Sequence, residues 1–304
     1  MSHDGNPRYR PAMSADACPI CGGSAFDSLG VVAGTITQRQ FQLCRCRACQ
    51  FVFVANPWLE YDLIYSEDYY NGRGADTKLN YVGEVQNPTR TVRRYEWRGV
   101  LERVRSLAHV SERTAWLDYG CGTGGLVEYL RSQSVDAIGF EQGWCVELLR
   151  KNCTPILNED DFDRNSGSFD VVSAIEVIEH TPDPIAVLRT IRHLLKPGGL
   201  LFMTTGNAEP FRDRITSWRY VTPEVHISYF EPATLARALR AARFEPLFPG
   251  YGPGWQDIIR YKLLMSLRRK WSNPVEGVVP WGLMARSIDA RLRLSAQPVG
   301  QAAG

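Results

Sequence analysis

The stretch Leu117-Asp118-Tyr119-Gly120-Cys121-Gly122-Thr123-Gly124-Gly125 decides the fold. It follows an apolar run, Thr114-Ala115-Trp116-Leu117, and precedes a helical pattern over 126–133. A glycine turn in that place lets backbone approach a nucleotide-like ligand, because residues without Cβ accept positive φ and leave no side chain in the way. Gly120, Gly122 and Gly125 satisfy G-x-G-x-x-G, so a dinucleotide-binding fingerprint fits this loop on its own terms.

Outward from the loop, short apolar runs alternate with helical stretches. The runs fall at 137–140, 154–157, 169–174 and 200–205, and the helical patterns at 144–151 and 184–195, the last closed by Lys196-Pro197-Gly198-Gly199. This alternation predicts an α/β fold, a Rossmann-like parallel sheet with helices on both faces. A helix over 232–242 and a strand-like run over 244–248 extend it, and 89–107 reads as a helix with one broad apolar face. The organisation expected is a disordered N-terminus (1–16), a cysteine module (17–57), and a tyrosine-rich connector and helix acting as a lid (58–110). The main domain (111–250) and a helical C-terminal extension (251–304) follow.

The residues around the loop narrow the ligand. Asp118 places a carboxylate at a strand end, where it suits a cationic amino-acid moiety and opposes a pyrophosphate. Glu141, closing the run Ile138-Gly139-Phe140, can accept both hydroxyls of a ribose. Downstream come Ser168-Phe169-Asp170-Val171-Val172, then Ile175-Glu176-Val177-Ile178-Glu179-His180, then Leu195-Lys196-Pro197-Gly198-Gly199. In this order and spacing, over residues 114–250, the chain resembles the class I S-adenosylmethionine-dependent methyltransferases. The resemblance implies a methionine moiety near Asp118, Gly120, Gly122 and Gly124, and a ribose on Glu141 beside Gln142. It also implies an adenine near Asp160 or Asp161, with Glu176 and Val177 lining the donor's other side.

Five of the eight cysteines fall between Cys18 and Cys49, and a disulfide reading would need an oxidising compartment for which no targeting segment speaks. Cys18-Pro19-Ile20-Cys21 and Cys46-Arg47-Ala48-Cys49 form two C-x-x-C pairs, the spacing of a four-thiolate Zn2+ site closed to further ligands. Cys44 is surplus to it, and Cys121, Cys145 and Cys153 read as small buried hydrophobes. The module, with Tyr65-Ser66-Glu67-Asp68-Tyr69-Tyr70 after it, is similar to the zinc-binding region that precedes some bacterial methyltransferase domains, including sugar C-methyltransferases of deoxysugar pathways. Those continue into a further C-terminal α/β domain; here only about 50 residues follow the core.

That resemblance implies methyl transfer to oxygen or carbon of a small-molecule acceptor, a sugar or sugar-containing metabolite first, with a glycan, polyketide or other small molecule also open. Such an acceptor keeps a proton, so a base is needed. His226 is the better candidate, with Glu224 and Tyr229 near it in sequence, while His180 belongs to the E-H pair and reads as cofactor-proximal. A net charge of +2 gives no strong footprint for nucleic acid. An RNA methyltransferase would use Arg39, Arg45 and Arg47 of the module as its contact, and a non-catalytic donor-binding scaffold is the third reading. No apolar run reaches the ~18 residues of a membrane span and no signal segment opens the chain, so a cytoplasmic protein is expected. The basic amphipathic segment 255–271 suits either covering the domain or peripheral contact with an anionic membrane. The oligomeric state is not legible.

Overall fold

The computed structural model describes residues 16–74, 80–273, 276, 278–292 and 299–302. Except for Asp16, the N-terminus expected to be disordered lies outside the described residues. Strands β1 (Phe26–Ala33), β2 (Gln40–Cys46) and β3 (Val52–Val54) form an antiparallel meander. Three short helices, α1 (Tyr61–Ile64), α2 (Glu67–Tyr70) and α3 (Tyr81–Gln86), lead to α4 (Arg93–Arg105). The alternating region then runs β4 (Ala115–Tyr119), α5 (Gly125–Ser132), β5 (Asp136–Phe140), α6 (Cys145–Lys151), β6 (Phe169–Ile175), α7 (Pro184–Leu194) and β7 (Leu195–Thr204). It continues through β8 (Ser228–Tyr229), α8 (Pro232–Ala241), β9 (Phe244–Leu247), α9 (Trp255–Ser266), α10 (Trp281–Leu292) and β10 (Val299–Ala302).

The large sheet has the order β5-β4-β6-β7-β10-β9, with the first four strands parallel and β10 antiparallel to both neighbours. Adjacent residues on its central strands serve opposite faces, as a period of two requires. Leu117, Val172 and Leu201 pack under Leu188, Ile191, Leu235 and Leu239 of α7 and α8. Their neighbours Trp116, Val171 and Phe202 pack under Leu101, Leu130 and Ile258 of α4, α5 and α9. Burial on both faces explains why these strands read as continuous apolar runs rather than alternations.

Four expectations change. The run 154–157 makes only an isolated bridge, Gly139 to Ile156, because Pro155 has no N–H to extend a ladder. The C-terminal extension is not only helical: β10 is inserted between β7 and β9, so a cut at 250 would remove a strand from the sheet. Val-Gly-Gln-Ala is too short, and too poor in β-branched residues, to announce itself. Cys153 is exposed, at φ 56° just past α6, whereas Cys121 and Cys145 are buried. The tyrosine segment is a packed wall, not a loose lid, since Trp58, Ile64, Tyr69 and Tyr70 are buried in one cluster with β2, β3 and β8.

Helix α9 docks on α4 at a close backbone approach: a Cβ on Gly99 would stand 2.7 Å from the Gly254 carbonyl oxygen and from Ile258 Cγ1. Arg98 clamps the same contact with two 2.7 Å hydrogen bonds to Asp257. Gly99→Ala is therefore expected to lose about 1–2 kcal/mol in urea denaturation, overpacking outweighing the gain in helix propensity. Gly250→Ala, whose Cβ would meet nothing within 4 Å, should leave the midpoint unchanged.

Candidate active site

Above the ends of β4, β5 and β6 lies a cavity of ≈ 1850 Å³. At one end of it Gly120, with φ 76°, turns the chain out of β4, and its missing Cβ is needed because one would come 2.6 Å from Val177 Cγ2. The Phe140 carbonyl accepts the amides of Gly120 and Cys121 at 2.9 and 3.0 Å, which fixes the turn against β5. Glu141, just after that carbonyl, accepts the Gly122 amide at 2.6 Å and the Gln142 amide at 2.9 Å. Burial still raises its pKa against those two donors.

Asp118 is buried, and the Ser173 hydroxyl donates to it at 2.6 Å, itself accepting the Trp116 indole N–H at 2.9 Å. Burial, helped by the charges of Glu141 and Glu96 and opposed by the serine, pushes its pKa up to about 7. A carboxylate kept in this way is short of a cation. The cradle is thus an acidic, glycine-lined slot that fits the cationic amino-acid end and ribose of a nucleoside-type ligand.

Across the cavity the sequence after β6 turns at Glu176 in a left-handed conformation, φ 53°, unusual for a residue with a side chain. Three donors hold it there: Thr204 Oγ1 at 3.0 Å, Tyr220 Oη at 2.8 Å and Lys262 Nζ at 2.9 Å. Burial works against ionisation, but Lys262 and Tyr220 outweigh it and keep Glu176 charged. Tyr220 also bonds Glu179, which burial and the charge of Glu176 hold protonated well above the usual carboxylate range. Lys262 was missed as a site residue because its basic segment reads as surface. Here α9 turns it inward toward Glu176 and Glu96.

Beyond this pair lies an aromatic bay. Tyr220 stacks on His226 with centroids 4.1 Å apart, and His226 meets His180 at 4.8 Å. Nδ1 of His226 lies 2.7 Å from the Tyr220 carbonyl, which can only accept, so that nitrogen carries a hydrogen. Nδ1 of His180 lies 2.9 Å from the Val225 carbonyl and 2.7 Å from Tyr65 Oη. Burial, then His226, lowers the His180 pKa to about 3, so it stays neutral. Tyr61, Tyr65 and Tyr69 complete the wall.

The remaining residues singled out from the sequence divide. Gly122, Gln142, Asp160 and Val177 line the cavity, whereas Asp161 is tied to Arg164 and Asn158, and Gly124 serves as the left-handed N-cap of α5. Tyr229 donates to the His226 carbonyl at 2.7 Å from inside a strand, and Glu224 is consumed by the cysteine module. Neither of these two faces the bay. The module's arginines are also engaged: Arg39 by Glu60 and Trp58, Arg47 by Asp27, and Arg45 by the Arg212 carbonyl. Among the described residues no helix is long and apolar enough to cross a membrane.

The four sulfurs of Cys18, Cys21, Cys46 and Cys49 lie within 4.8 Å of one another, with Cys18–Cys49 at 3.6 Å and Cys21–Cys46 at 3.5 Å. A tetrahedral ion with bonds of about 2.3 Å needs sulfurs about 3.8 Å apart, so the set fits one. The two knuckles repeat one geometry: the Gly22 amide bonds the Cys18 carbonyl and the Gln50 amide bonds the Cys46 carbonyl, each at 2.8 Å. Both closing residues are left-handed, at φ 71° and 66°. Among the later cysteines none joins such a group.

Comparison with known proteins places residues 89–247 in the family described as "Methyltransferase domain". The chain is 32% identical over 169 residues to "Ubiquinone biosynthesis O-methyltransferase" of Bordetella avium, covering 48% of this chain and 68% of that protein. It is 37% identical over 101 residues to the Vibrio parahaemolyticus protein of the same name, covering 30% of this chain and 43% of that one. The chain thus spans less than half the length of some curated relatives it matches. Among solved structures, a chain from the complex of the Haloferax volcanii Trm112 methyltransferase activator with a methyltransferase aligns with a TM-score of 0.49. That alignment has 16% identity and covers 82% of this chain and 100% of the other.

Full-length protein reconstituted with zinc is expected to hold about one ion per chain, measured by plasma mass spectrometry, with Cys44→Ser unchanged and Cys46→Ser losing it.

Proposed function

Since this chain belongs to the methyltransferase-domain family and is a class I S-adenosylmethionine-dependent methyltransferase, we propose that it methylates a hydroxyl oxygen of a small, ring-bearing acceptor held in the tyrosine and histidine bay. The observation that carries this reading is the His226 ring, stacked on Tyr220 with Nδ1 anchored on a carbonyl, in the bay beside the glycine cradle. An oxygen acceptor must shed a proton, and an imidazole whose Nδ1 is fixed on a carbonyl can take it at Nε2 when the ring is uncharged. The relatives' printed names, which specify O-methylation, support oxygen over carbon.

S-adenosylmethionine supplies a methyl carbon on a sulfonium, whose departure leaves a neutral thioether. The chain's part is to bind, align and keep the site dry. Asp118 would hold the cationic amino-acid end, Glu141 the ribose with Gln142 beside it, and Asp160 stands where the adenine edge would lie. Gly120 and Gly122 let the backbone close in, while Val177 and Glu176 form the wall between donor and acceptor. His180, held neutral, orients the bay rather than moving protons; His226 accepts the acceptor's proton at Nε2. Tyrosine faces suit the apolar face of a sugar as well as a phenol, so the sugar acceptor expected from the cysteine module remains within this reading. Zinc in the four-thiolate site would be structural, tying the two knuckles. The net charge of +2, too weak an electrostatic footprint for RNA, favours a small molecule.

The test is production of S-adenosylhomocysteine with a catechol and with a nucleotide-linked deoxysugar, followed by mass analysis of the acceptor. His226→Asn should lower kcat by about 10²–10⁴-fold while leaving donor affinity unchanged. Full turnover by that variant would remove His226 as the base, and absence of donor consumption would support the scaffold reading.

Donor affinity should also depend on pH. In the free protein Asp118 titrates near 7, so it is neutral below that value and charged above it. Affinity for S-adenosylhomocysteine, whose amino group stays cationic, is therefore full above pH 7 and falls about tenfold per unit below it. Asp118→Asn should bind weakly with a flat profile, read by calorimetry at several pH values.

A further inference from the structure

Glu224 joins two distant parts of the chain. It is fully buried, and its carboxylate accepts the amides of Thr35, Ile36 and Thr37 at 2.8, 3.0 and 2.7 Å. The hydroxyls of Thr35 and Thr37 add two more bonds, each at 2.8 Å. Successive amides converging on one anion form a nest, here filled by a carboxylate 187 to 189 residues away. Burial alone would raise its pKa, but the Thr37 and Thr35 donors outweigh burial and hold Glu224 ionised. The turn is shaped around it: a Cβ on Gly34 would come 2.5 Å from Oε1, and the Gly34 amide closes the turn on the Arg39 carbonyl at 2.8 Å.

The clamp sits where it controls a wall of the cavity. Thr35 and Ile36 line the cavity from the module side, and Val221, Thr222, Val225 and His226 line it from the loop that carries Glu224. A second tether runs parallel to the first. Strand β3 pairs with β8 through Val52 to Tyr229 and Phe53 to Ser228, and the Val54 amide bonds the Ile227 carbonyl at 2.9 Å. At the module's other end the knuckle cysteines hold the start of the meander and the end of β2, so order in the cysteine site and order in the 34–37 turn are properties of one small sheet.

We propose that the cysteine module is the acceptor-side wall of the active site, and that Glu224 is the positioning residue that seats its 34–37 turn and thereby orders the His226 loop. The donor cradle, built from β4, β5 and β6, does not share this dependence. This rests on the assignment of the His226 bay to the acceptor, and it identifies the module as the element that sets which acceptor fits.

The experiment uses full-length protein with zinc bound, comparing wild type with Glu224→Gln, Glu224→Ala and the milder Thr35→Val/Thr37→Val double variant. Zinc content, S-adenosylhomocysteine affinity and hydrogen exchange are measured on each. The expected result is unchanged zinc content and donor affinity, with protection lost by about tenfold or more in peptides covering both 34–38 and 218–230. The double variant, which keeps the backbone donors, should show the same pattern at smaller amplitude and serves if the Glu224 variants do not fold. Loss confined to 34–38, with 218–230 unchanged, would overturn the proposal, as would donor affinity falling in step with protection. Failure of the functional reading itself would look different: wild type would not bind S-adenosylhomocysteine, whatever the exchange pattern.

Discussion

A carboxylate buried at the end of β4, with the Ser173 hydroxyl donating to it, is the constraint on which the site depends. Asp118 lies in the sheet's interior layer, bonded by Ser173 and displaced toward neutrality by burial. Such a group is costly unless a cation completes it, and the glycine loop leaves open the approach by which one arrives. The arrangement of β4 against β5 and β6 places Glu141 and Val177 on either side of that approach, so the sheet order determines what the cavity can hold.

The opposite end of the cavity obeys a different logic. Its walls come from the 34–37 turn, the tyrosine segment, the His180 segment after β6, the loop after β7 and α9. Glu176 is where they meet the donor side. Its left-handed backbone is held by a side-chain network that draws on β7, Tyr220 and Lys262. Strain of this kind persists only where the surroundings over-determine it, and it sits at the boundary between the two half-sites. Two coupled carboxylates, Glu176 and Glu179, thus share one tyrosine hydroxyl while holding different charges. That leaves the His226 imidazole, with His180 held neutral beside it by burial, as the group nearest the boundary that is proposed to take a proton.

The half proposed for the donor was legible in the sequence because its parts are local. A strand, a glycine turn and a carboxylate two positions ahead of it occupy consecutive residues, and the two cysteine knuckles likewise each need only a short stretch. The half proposed for the acceptor was not, because its contacts join residues far apart. Glu224 read as an acid near a histidine, yet its partners are Thr35 to Thr37; Lys262 read as surface charge, yet it faces Glu176. Strand β10 carried no periodicity and is defined by its neighbours, β7 and β9. The tyrosine segment read as a lid, but Tyr70 meets Tyr81 edge-on and stacks on Trp144, so the rings pack together.

One cavity is proposed to hold a donor end and an acceptor end, and a crystal structure of the full chain with S-adenosylhomocysteine tests that division most directly. The predicted complex has the amino group against Asp118 and Gly120, the ribose hydroxyls on Glu141, and the sulfur opening past Val177 toward His226. A ligand whose ribose avoids Glu141, or whose sulfur points away from the histidine and tyrosine bay, would contradict it.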